Sequence, residues 1–383
     1  MEYRLTDLCE LIMGQSPDSS SCNKDGKGIP FYQGNADFGE KNPTPRNWCL
    51  QPKKIAQKDD ILISVRAPIG DLNIANEDCC IGRGVAAIRM KSKECDRDYL
   101  YLFLESKSKY LQDCGTGSTF TAINKGVLES LKVKCPELKN QTSIANEIEN
   151  IKAAIKYKNS ELICLNEAVQ SEFVEMFGEG SCKQIPFSEY AEIIDGDRGK
   201  NYPKSEDFSD DDYCLFLSAK NVTKNGFLFE NNQFISKEKD EILRKGKLNR
   251  GDIVITTRGT IGNIAYFDDS IPYENIRINS GMVIIRNKDL EFNQRFFLEA
   301  FRNKIDEIIA TQVTGAAQPQ LPIHIMSKIT LPYPDLSLQN KFAAFVDQID
   351  KSKFVLQQQL QFIKKYDIIT SWRKICFYTT VAM

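Results

Sequence analysis

Two stretches of the chain repeat apolar residues at alternating steps of four and three. This heptad spacing predicts two long helices, each with one apolar seam that packs against a partner. A single lysine interrupts each seam, Lys158 in the first and Lys353 in the second, and we expect these lysines to occupy equivalent places that help fix the helix register. The predicted seam residues are Ile144, Ile148, Ile151, Ile155 and Leu162 in the first helix, and Phe342, Val346, Ile349, Leu356 and Leu360 in the second.

Before each predicted helix, short β-branched runs alternate with glycine and proline turns. The runs at residues 61–65 and 253–257 are typical of buried strands. The pattern therefore predicts α+β domains that are rich in strands. A length of 383 residues suits two such domains with connecting elements.

The pattern is duplicated along the chain. Apolar, proline, glutamine and alanine positions recur together, and small insertions explain why the offset changes between segments. The whole unit, domain and helix, is therefore doubled. The matching segments are 60–70 with 252–262, 84–89 with 281–286, and 131–151 with 329–349.

This duplication predicts four segments and a pseudo-two-fold axis. Two equivalent helices of about 35 residues, each about 50 Å long at 1.5 Å per residue, could pack antiparallel and so invert one domain relative to the other. Similar domains at opposite ends of such a spacer would meet duplex DNA about one and a half turns apart. We therefore predict a target with two parts and an unread middle. The predicted segments are a first domain at 1–138, a first helical spacer at 139–177, a second domain at 178–336 and a second helical spacer at 337–378.

Composition narrows the chemistry that this chain can perform. Its 12 cysteines contain no Cys-x-x-Cys pair, so we expect small buried residues rather than zinc ligands or disulfides. His324 is the only histidine, and its place near Pro322 favours a structural role. The chain begins without a signal-peptide pattern and has no apolar stretch long enough for a membrane, so we expect no membrane partner and a cytoplasmic protein.

Net charge bears on the DNA hypothesis. A formal charge of −2 opposes tight non-specific binding, because contacts to phosphate supply most of that affinity. Net charge averages over all faces, however, and an acidic back can coexist with basic recognition loops. We expect weak DNA binding by the chain alone and therefore a partner.

The repeated motifs carry a family resemblance. The helix opening at residues 136–148, Pro-x-Leu-x-x-Gln-x-x-Ile-Ala-x-x-Ile, resembles that of type I restriction-modification specificity subunits, as do residues 60–70 and 117–119 and the second copies. Three positions depart from the family pattern. Asn140 and Leu338 replace the acidic residue before the glutamine, and Phe342 replaces the first aliphatic residue.

The resemblance implies a non-catalytic subunit that chooses a DNA site. In that family, two modification subunits use S-adenosylmethionine to methylate an adenine in each half of the site, and restriction subunits cleave unmodified double-stranded DNA using ATP. These cofactors, with Mg²⁺, are implied for the partner subunits and none for this chain, which is expected to hold no metal. The helical spacer is similar to the region where modification subunits dock.

Motifs expected of an enzyme are missing from the sequence. An adenine methyltransferase would need an Asn- or Asp-Pro-Pro-aromatic tetrapeptide, and residues 42–45, Asn-Pro-Thr-Pro, depart from it at the third and fourth positions. Residues 196–200, Gly-Asp-Arg-Gly-Lys, are too short between glycines for a phosphate-binding loop. We therefore predict no catalysis by this chain alone.

Arg66 and Arg258 are the framework candidates for contact with DNA. Each follows a strand and precedes an Ile-Gly turn, where a guanidinium could meet a phosphate or a guanine edge. They could equally be buried salt-bridge partners of Asp60 and Asp252. Because both copies have them, we expect them to position DNA rather than to read its sequence.

Base readout is expected from loops in which the two copies differ. Asn and Gln can pair with adenine, and Lys and Arg with guanine or phosphate. For any single residue here, the alternative is ordinary turn chemistry. The candidates are Gln33, Asn35, Arg83, Ser118 and Thr119 in the first copy and Lys220, Asn221 and Gln318 in the second.

A protein-binding scaffold is the alternative function. Duplicated domains that grip proteins, on helices that only dimerise, would also account for a pI of 5.8. Retardation of duplex DNA that depends on both halves of a split sequence would separate the two hypotheses.

Overall fold

The structure is a computed structural model that describes residues 1–116, 121–178, 180–288, 292–313 and 320–377. The chain divides into two compact units: unit 1 is Met1–Ser160 with Gln357–Met383, and unit 2 is Glu161–Leu356. Each unit holds one domain and part of each long helix, so this division differs from the four consecutive segments of the sequence prediction. Over the described ranges, no helix is long and apolar enough to cross a membrane.

Unit 1 contains a strand-rich domain followed by the start of a long helix. Two of its helices begin at polar N-caps, Asp96 and Asn124, whose side chains accept bonds from backbone amides of the first helical turn. The strands are β1 (Glu2–Arg4), β2 (Cys9–Met13), β3 (Cys22–Asn23), β4 (Ile29–Tyr32), β5 (Trp48–Cys49), β6 (Ile55–Ala56), β7 (Ile61–Ser64), β8 (Leu72–Ile74), β9 (Cys79–Ile81), β10 (Val85–Met90) and β11 (Lys132–Lys134). The helices are α1 (Leu5–Leu8), α2 (Arg97–Ser106), α3 (Ser108–Asp113), α4 (Lys125–Glu129) and α5 (Leu138–Phe177).

The sheet that contains β7 buries both of its faces, one against helices and one against a second sheet. An antiparallel sheet has the order β2-β10-β7-β8, and a second sheet has the order β3-β5-β4-β9-β6, in which β4 and β9 are parallel. Successive side chains of a strand point to opposite faces. Ile61 and Ile63 therefore join the core that contains α2, whereas Leu62 joins the core on the second sheet. β1 pairs with β11 and closes the domain just before α5.

Unit 2 contains the second domain and the start of the second long helix. The strands are β12 (Gln184–Pro186), β13 (Ala191–Asp195), β14 (Cys214–Leu217), β15 (Val222–Thr223), β16 (Gly226–Phe227), β17 (Phe234–Ile235), β18 (Ile253–Thr256), β19 (Ile264–Tyr266), β20 (Ile276–Ile278), β21 (Met282–Asn287) and β22 (Thr330–Pro332). The helices are α6 (Phe187–Tyr190), α7 (Lys237–Ile242), α8 (Gln294–Ile308), α9 (Ile323–Met326) and α10 (Leu336–Phe377).

The sheets of unit 2 repeat those of unit 1. The antiparallel sheet has the order β13-β21-β18-β19, and β12 pairs with β22 as β1 pairs with β11. The other sheet has the order β17-β14-β20, in which β14 and β20 are parallel as β4 and β9 are. The strand-rich α+β fold and its internal duplication are thereby confirmed.

A buried glutamine ties the start of each long helix to its own domain. Gln141 of α5 accepts a bond from the backbone amide of Asp96, the N-cap of α2, and donates to two backbone carbonyls, all at 2.8 Å. Gln339 of α10 accepts at 2.8 Å from the amide of Asn293, the N-cap of α8, and donates to one carbonyl at 2.8 Å. Each helix therefore starts in a fixed relation to its domain.

In unit 1, segments of α5 and α10 run antiparallel. Ile151 of α5 lines an apolar groove with Phe362 of α10. Lys158, two turns further along α5, donates to Gln359 of α10 at 2.6 Å. The α10 residue numbers fall as the α5 numbers rise, which defines the antiparallel direction in this unit.

In unit 2, a cluster of phenylalanines joins the end of α5 to the start of α10. Phe342 packs against Phe173, Phe177 and Phe296, with ring centroids 5.5 to 6.2 Å apart. This packing explains the aromatic residue at position 342, because the second copy fills with rings a place that the aliphatic Ile144 occupies in the first.

The predicted seam residues are all buried or half-buried. The predicted equivalence of the two lysines is wrong, however. At the offset of 198 positions that relates the helices, Lys158 corresponds to the buried Leu356, and Lys353 corresponds to Ile155. The lysine therefore interrupts each seam at a different turn of the helix.

Most cysteines whose side chains the structure describes are buried, but not all. Cys9, Cys79 and Cys214 lie in the cores, and burial raises the pKa of each thiol to about 12. Cys164 is exposed on α5, so the prediction of a buried residue is wrong at this position.

Candidate nucleic-acid interface

A serine or threonine hydroxyl shapes the loop after β7 and the loop after β18. Ser64 donates from Oγ to the carbonyl of Pro68 at 2.7 Å and accepts from the amide of Asp71 at 2.9 Å. Thr256 repeats both bonds and accepts from the amide of Asn263 at 3.0 Å. The same clasp therefore sets the backbone of both loops.

These loops, residues 65–71 and 257–263, are called the arginine loops below. They present Arg66 and Arg258 with exposed side chains. Among the residues that the structure describes, neither arginine forms an ion pair. A free guanidinium offers five N–H donors and suits a phosphate or a guanine edge.

The alternative role of these arginines, pairing with buried aspartates, is wrong. Asp60 is bound by Arg89 at 2.8 Å, and Asp252 is bound by Arg286 at 2.6 Å. Both partners reach across from the neighbouring strand, β10 or β21. The framework arginines lie beyond the other end of a four-residue strand, about 13 Å long at 3.3 Å per residue, and cannot reach these carboxylates.

In unit 1, a second loop packs against the arginine loop. The carbonyl of Gly84 accepts from the amide of Val65, next to Arg66, at 2.9 Å. A Cβ at position 84 would lie 2.3 Å from the carbonyl oxygen of Gln33, so the close approach requires glycine. Gln33, Arg66 and Arg83 therefore meet on one edge of the domain.

Gln33 and Arg83 expose their side chains at this edge. The Nε of Arg83 donates to the hydroxyl of Ser16 at 3.3 Å, a single long bond to a neighbouring loop. Both side chains retain donors that could meet a base, and they remain the predicted readers of unit 1.

In unit 2, a second loop packs against the arginine loop in the same way as in unit 1. The carbonyl of Gly281 accepts from the amide of Thr257 at 2.9 Å, and the amide of Asn279 donates to the carbonyl of Leu217 at 3.1 Å. The end of β14 therefore meets the loop that packs on the arginine loop. Lys220 follows β14 in an exposed turn, as its predicted role requires.

Both candidate asparagines bond to other residues of the protein, but only Asn221 is buried, and Asn35 stays a prediction. Asn35 donates to the carboxylate of Asp71 at 2.7 Å and so ties its turn to the arginine loop. Asn221 is 3% exposed, accepts from the amide of Ser218 at 2.9 Å and donates to the carbonyl of Leu228 at 3.1 Å. Asn221 caps its own turn, and we remove it from the predicted base readers.

Strand pairing corrects the alignment behind that prediction. The parallel pairs β4–β9 and β14–β20 make Tyr32 equivalent to Leu217. Asp37 accepts from the amide of the residue that follows β4, and Asn221 accepts from the amide of the residue that follows β14. The two side chains cap equivalent turns, so Asp37 corresponds to Asn221. Asn35 therefore has no asparagine counterpart in unit 2.

Three candidates, Ser118, Thr119 and Gln318, lie outside the described residues. The described chain resumes beside the arginine loop of unit 1, where the carbonyl of Thr121 accepts from the amide of Ala67 at 3.1 Å. A role for the three candidates in reading bases stays a prediction.

One exposed basic residue at the equivalent edge of unit 2 escaped the sequence predictions. Arg198 donates to the carbonyl of Ser280, a neighbour of Gly281, at 3.3 Å. The signal was present in the duplicated domain starts, residues 12–14 and 194–196, which align Arg198 with Ser16.

The chain matches the type I restriction modification DNA specificity domain family over residues 1–166 and 185–365. The type I restriction enzyme MjaIX specificity subunit of Methanocaldococcus jannaschii is 23% identical over 94% of this chain and 89% of its own length. A second protein of that organism, described provisionally as the specificity subunit of type I restriction enzyme MjaX, is 43% identical over 152 residues, or 40% of this chain and 36% of that protein.

Among solved structures, the S subunit of a type I restriction-modification system from M. genitalium has a similar fold. Its TM-score is 0.56 at 18% identity, and the match covers 98% of this chain and 95% of that chain. The family match includes both domains, and each domain carries one arginine loop. The chain therefore belongs to the family of type I restriction-modification DNA specificity domains and is a specificity subunit, a DNA-recognition component rather than a catalytic one.

Proposed function

We propose that each domain reads one half of a bipartite site in double-stranded DNA, and that the long helices recruit two modification subunits with adenine methyltransferase activity. The observation that carries this proposal is the pair of arginine loops. Each is clasped by a hydroxyl, and each exposes an arginine without an ion pair among the described residues. A role of this kind places the chain in the cytoplasm.

The two classes of exposed side chain suit two kinds of contact. Arg66 and Arg258 occur at equivalent places in both units, so they suit contacts with the DNA backbone, which fix register but carry no sequence information. Gln33 and Arg83 in unit 1, and Lys220 in unit 2, differ between the copies. These residues suit contacts with base edges, because two domains that read different half-sites need different side chains there.

Exposed apolar side chains on the helices support docking of a partner. Tyr157 in unit 1 is 68% exposed, and Val355 in unit 2 is 53% exposed, and the two positions are related by the offset of 198. Phe362 in unit 1 is 72% exposed and is related in the same way to the exposed Cys164 in unit 2. Matching exposed patches in two units would give two equivalent surfaces for two copies of one partner.

The cofactors of the complete reaction belong, in this proposal, to the partners. Modification subunits would bind S-adenosylmethionine, and restriction subunits would use ATP and Mg²⁺. No group of His, Cys, Asp and Glu in the described structure could hold a metal ion. The contribution of this chain would be the choice of site and the recruitment of those subunits.

The proposal is tested by expressing the chain with its modification subunit in a host without related methylation. Methylation-sensitive sequencing should reveal an interrupted motif that is modified once on each strand. A continuous motif, or no new methylation with a modification subunit that binds cofactor, would contradict the proposal.

Binding to duplex DNA supplies a second test of the proposal. The complex should retard a duplex with the methylated motif, and changing either half of the motif should abolish the retardation. Arg66→Ala should weaken binding to all sequences and reduce the slope of log affinity against log salt by about 1, as expected for loss of one phosphate contact. The exposed Lys139→Ala is the matched control and should bind as the wild type does. Equal affinity for scrambled DNA would favour the protein-binding scaffold.

A further inference from the structure

We propose that Arg198 is a DNA-contacting residue of unit 2 and the counterpart of Arg83 in unit 1. The inference rests on the proposed DNA-reading function and adds a residue to its site. The two arginines lie on different loops of their domains, so aligning the two copies does not pair them. The structure nevertheless brings them to the same place beside the arginine loop.

Arg83 and Arg198 lie on two different loops, and both of these loops have an equivalent in the other unit. In unit 1 they follow β2 and β9, and a Cβ at Gly14 would lie 2.1 Å from the carbonyl oxygen of Gly82. In unit 2 they follow β13 and β20, and a Cβ at Gly196 would lie 2.3 Å from the carbonyl oxygen of Asn279. Each domain therefore presses the same two loops together through a glycine.

At this contact between the two loops, the positions of arginine and serine are reversed between the units. In unit 1, Arg83 is on the second loop and donates to the hydroxyl of Ser16 on the first, at 3.3 Å. In unit 2, Arg198 is on the first loop and donates to the carbonyl of Ser280 on the second, also at 3.3 Å. Either arrangement leaves one guanidinium at the same junction.

The junction adjoins the arginine loop in both units. Arg83 is followed by Gly84, and Ser280, which Arg198 contacts, is followed by Gly281. The carbonyls of these two glycines accept from the amides of Val65 and Thr257 at 2.9 Å. Those amides belong to the residues just before Arg66 and Arg258. Each unit therefore carries two exposed guanidinium groups on one edge, one from the framework and one from the exchanged position.

Arg198 keeps donors for a ligand. Its side chain is 48% exposed, and its two described bonds, to Ser280 at 3.3 Å and to the carboxylate of Asp195 at 3.1 Å, both use Nη2. The N–H groups of Nε and Nη1 have no partner among the described contacts. Asp195 orients the guanidinium, and the adjoining Asp197 fixes the loop by accepting from two backbone amides at 2.7 and 2.8 Å.

The test measures binding of the complete complex, this chain with its modification subunits, to a duplex that carries the motif found by methylation sequencing. Arg198→Ala should lower affinity roughly 5- to 100-fold, the range for loss of a good base or phosphate contact by arginine. Arg198→Lys should recover part of the loss if the contact is to phosphate. Arg198→Ser combined with S280R restores the arrangement of unit 1 and should bring affinity back to within about 3-fold of the wild type.

Controls separate a DNA contact from a structural role. Lys304→Ala removes a half-buried charge from α8, which pairs with Glu307 beside Phe173 and Phe177 and away from the loops, and it should leave affinity unchanged. The melting temperature of Arg198→Ala should match that of the wild type, because both bonds of Arg198 are at the surface.

The outcomes distinguish this inference from the function on which it rests. If Arg83→Ala weakens binding but Arg198→Ala does not, the inference is overturned while the proposed function stands. If Arg198→Ala weakens binding but the double variant with S280R melts normally and restores nothing, the equivalence with Arg83 is overturned. If the wild-type complex binds motif and scrambled DNA equally, the proposed function fails first.

Discussion

Two arginines near β7 have opposite roles. Arg66 is exposed without an ion pair in the described structure, whereas Arg89 binds the buried carboxylate of Asp60 at 2.8 Å. Both residues lie in segments that the duplication repeats, at Arg258 and Arg286. The first arginine of each pair is available to a ligand, and the second holds the sheet together.

Arg89→Ala is expected to destabilise the fold by about 2–4 kcal/mol, because it leaves the Asp60 carboxylate buried without its two guanidinium donors and without a counter-ion. Chemical denaturation followed by circular dichroism measures the loss.

Arg66→Ala is the matched control, because Arg66 lies just after β7, whereas Arg89 binds Asp60 just before β7. It should change the free energy of unfolding by less than about 0.5 kcal/mol, as exposed substitutions generally do. Equal destabilisation by both substitutions would show that Arg66 also has a structural partner.

At this scale the sequence identified residue types better than partners. It marked Asp60, Asp252 and the four repeated arginines, but it could not say which arginine closes each ion pair, since that depends on pairing between β7 and β10 across the sheet. It also matched Asn221 with Asn35 by spacing. The cap at Asn221 emerges only when the parallel strands are aligned.

At the scale of elements, the glutamine at the start of each long helix bonds that helix to its own domain through its side chain. Gln141→Ala should destabilise unit 1 by about 2–4 kcal/mol, because the backbone groups that it satisfies become unpaired in a buried place. Gln339→Ala should cost less, since among the described residues Gln339 makes two such bonds where Gln141 makes three.

Thermal and chemical denaturation of both glutamine variants measures these losses. Lys139→Ala, an exposed substitution two residues before Gln141, is the control for a change in helix propensity. An effect of Gln141→Ala no larger than that of Lys139→Ala would refute the role of the buried glutamine.

A buried ion pair between α7 and β20 predicts a pH dependence of stability. Burial disfavours the ionised Asp240 carboxylate, but hydrogen bonds from Lys247 and Arg277 outweigh this effect and hold the pKa of Asp240 below its usual value. A carboxylate with a lowered pKa stabilises the fold above its unfolded pKa of about 3.9 and loses that contribution as the pH falls through the folded value.

Asp240→Asn should therefore cost about 3–5 kcal/mol at pH 7, where it leaves the buried Arg277 without its counter-ion. The difference from the wild type should shrink as the pH falls below about 4, because the wild-type carboxyl becomes neutral as well. Urea denaturation from pH 3 to pH 7 gives the comparison, and a difference independent of pH would contradict the assignment.

Elements with strong periodicity were predicted more completely than those held by distant partners. The heptads placed the long helices at 139–177 and 337–378, and the structure has α5 at Leu138–Phe177 and α10 at Leu336–Phe377. The two-residue strands β3, β5 and β6 carry no such pattern. They exist because β4 and β9, separated by nearly fifty residues, pair in parallel: β5 then pairs with β4, β6 pairs with β9, and β3 pairs with β5.

At the scale of the whole molecule, the duplication predicts two readers that act independently. Replacing residues 1–138 with the corresponding domain of another specificity subunit should change one half of the methylated motif and leave the other half intact, since distant sites without shared partners act additively. Methylation-sensitive sequencing reads both halves at once. The reciprocal exchange of residues 178–336 should change the other half, and a change of both halves in either chimera would refute independent reading.

The hydroxyl clasp of the arginine loops bears on how such a protein could acquire a new target. Ser64 and Thr256 hold their loops through main-chain amides and carbonyls, so the holding does not depend on which side chains the loop displays. The side chains that the loop exposes can therefore change without changing the bonds that fix its backbone. During evolution, an exposed arginine can be replaced by glutamine, asparagine or lysine, or can arise on the neighbouring loop instead, while the fold of the domain stays the same.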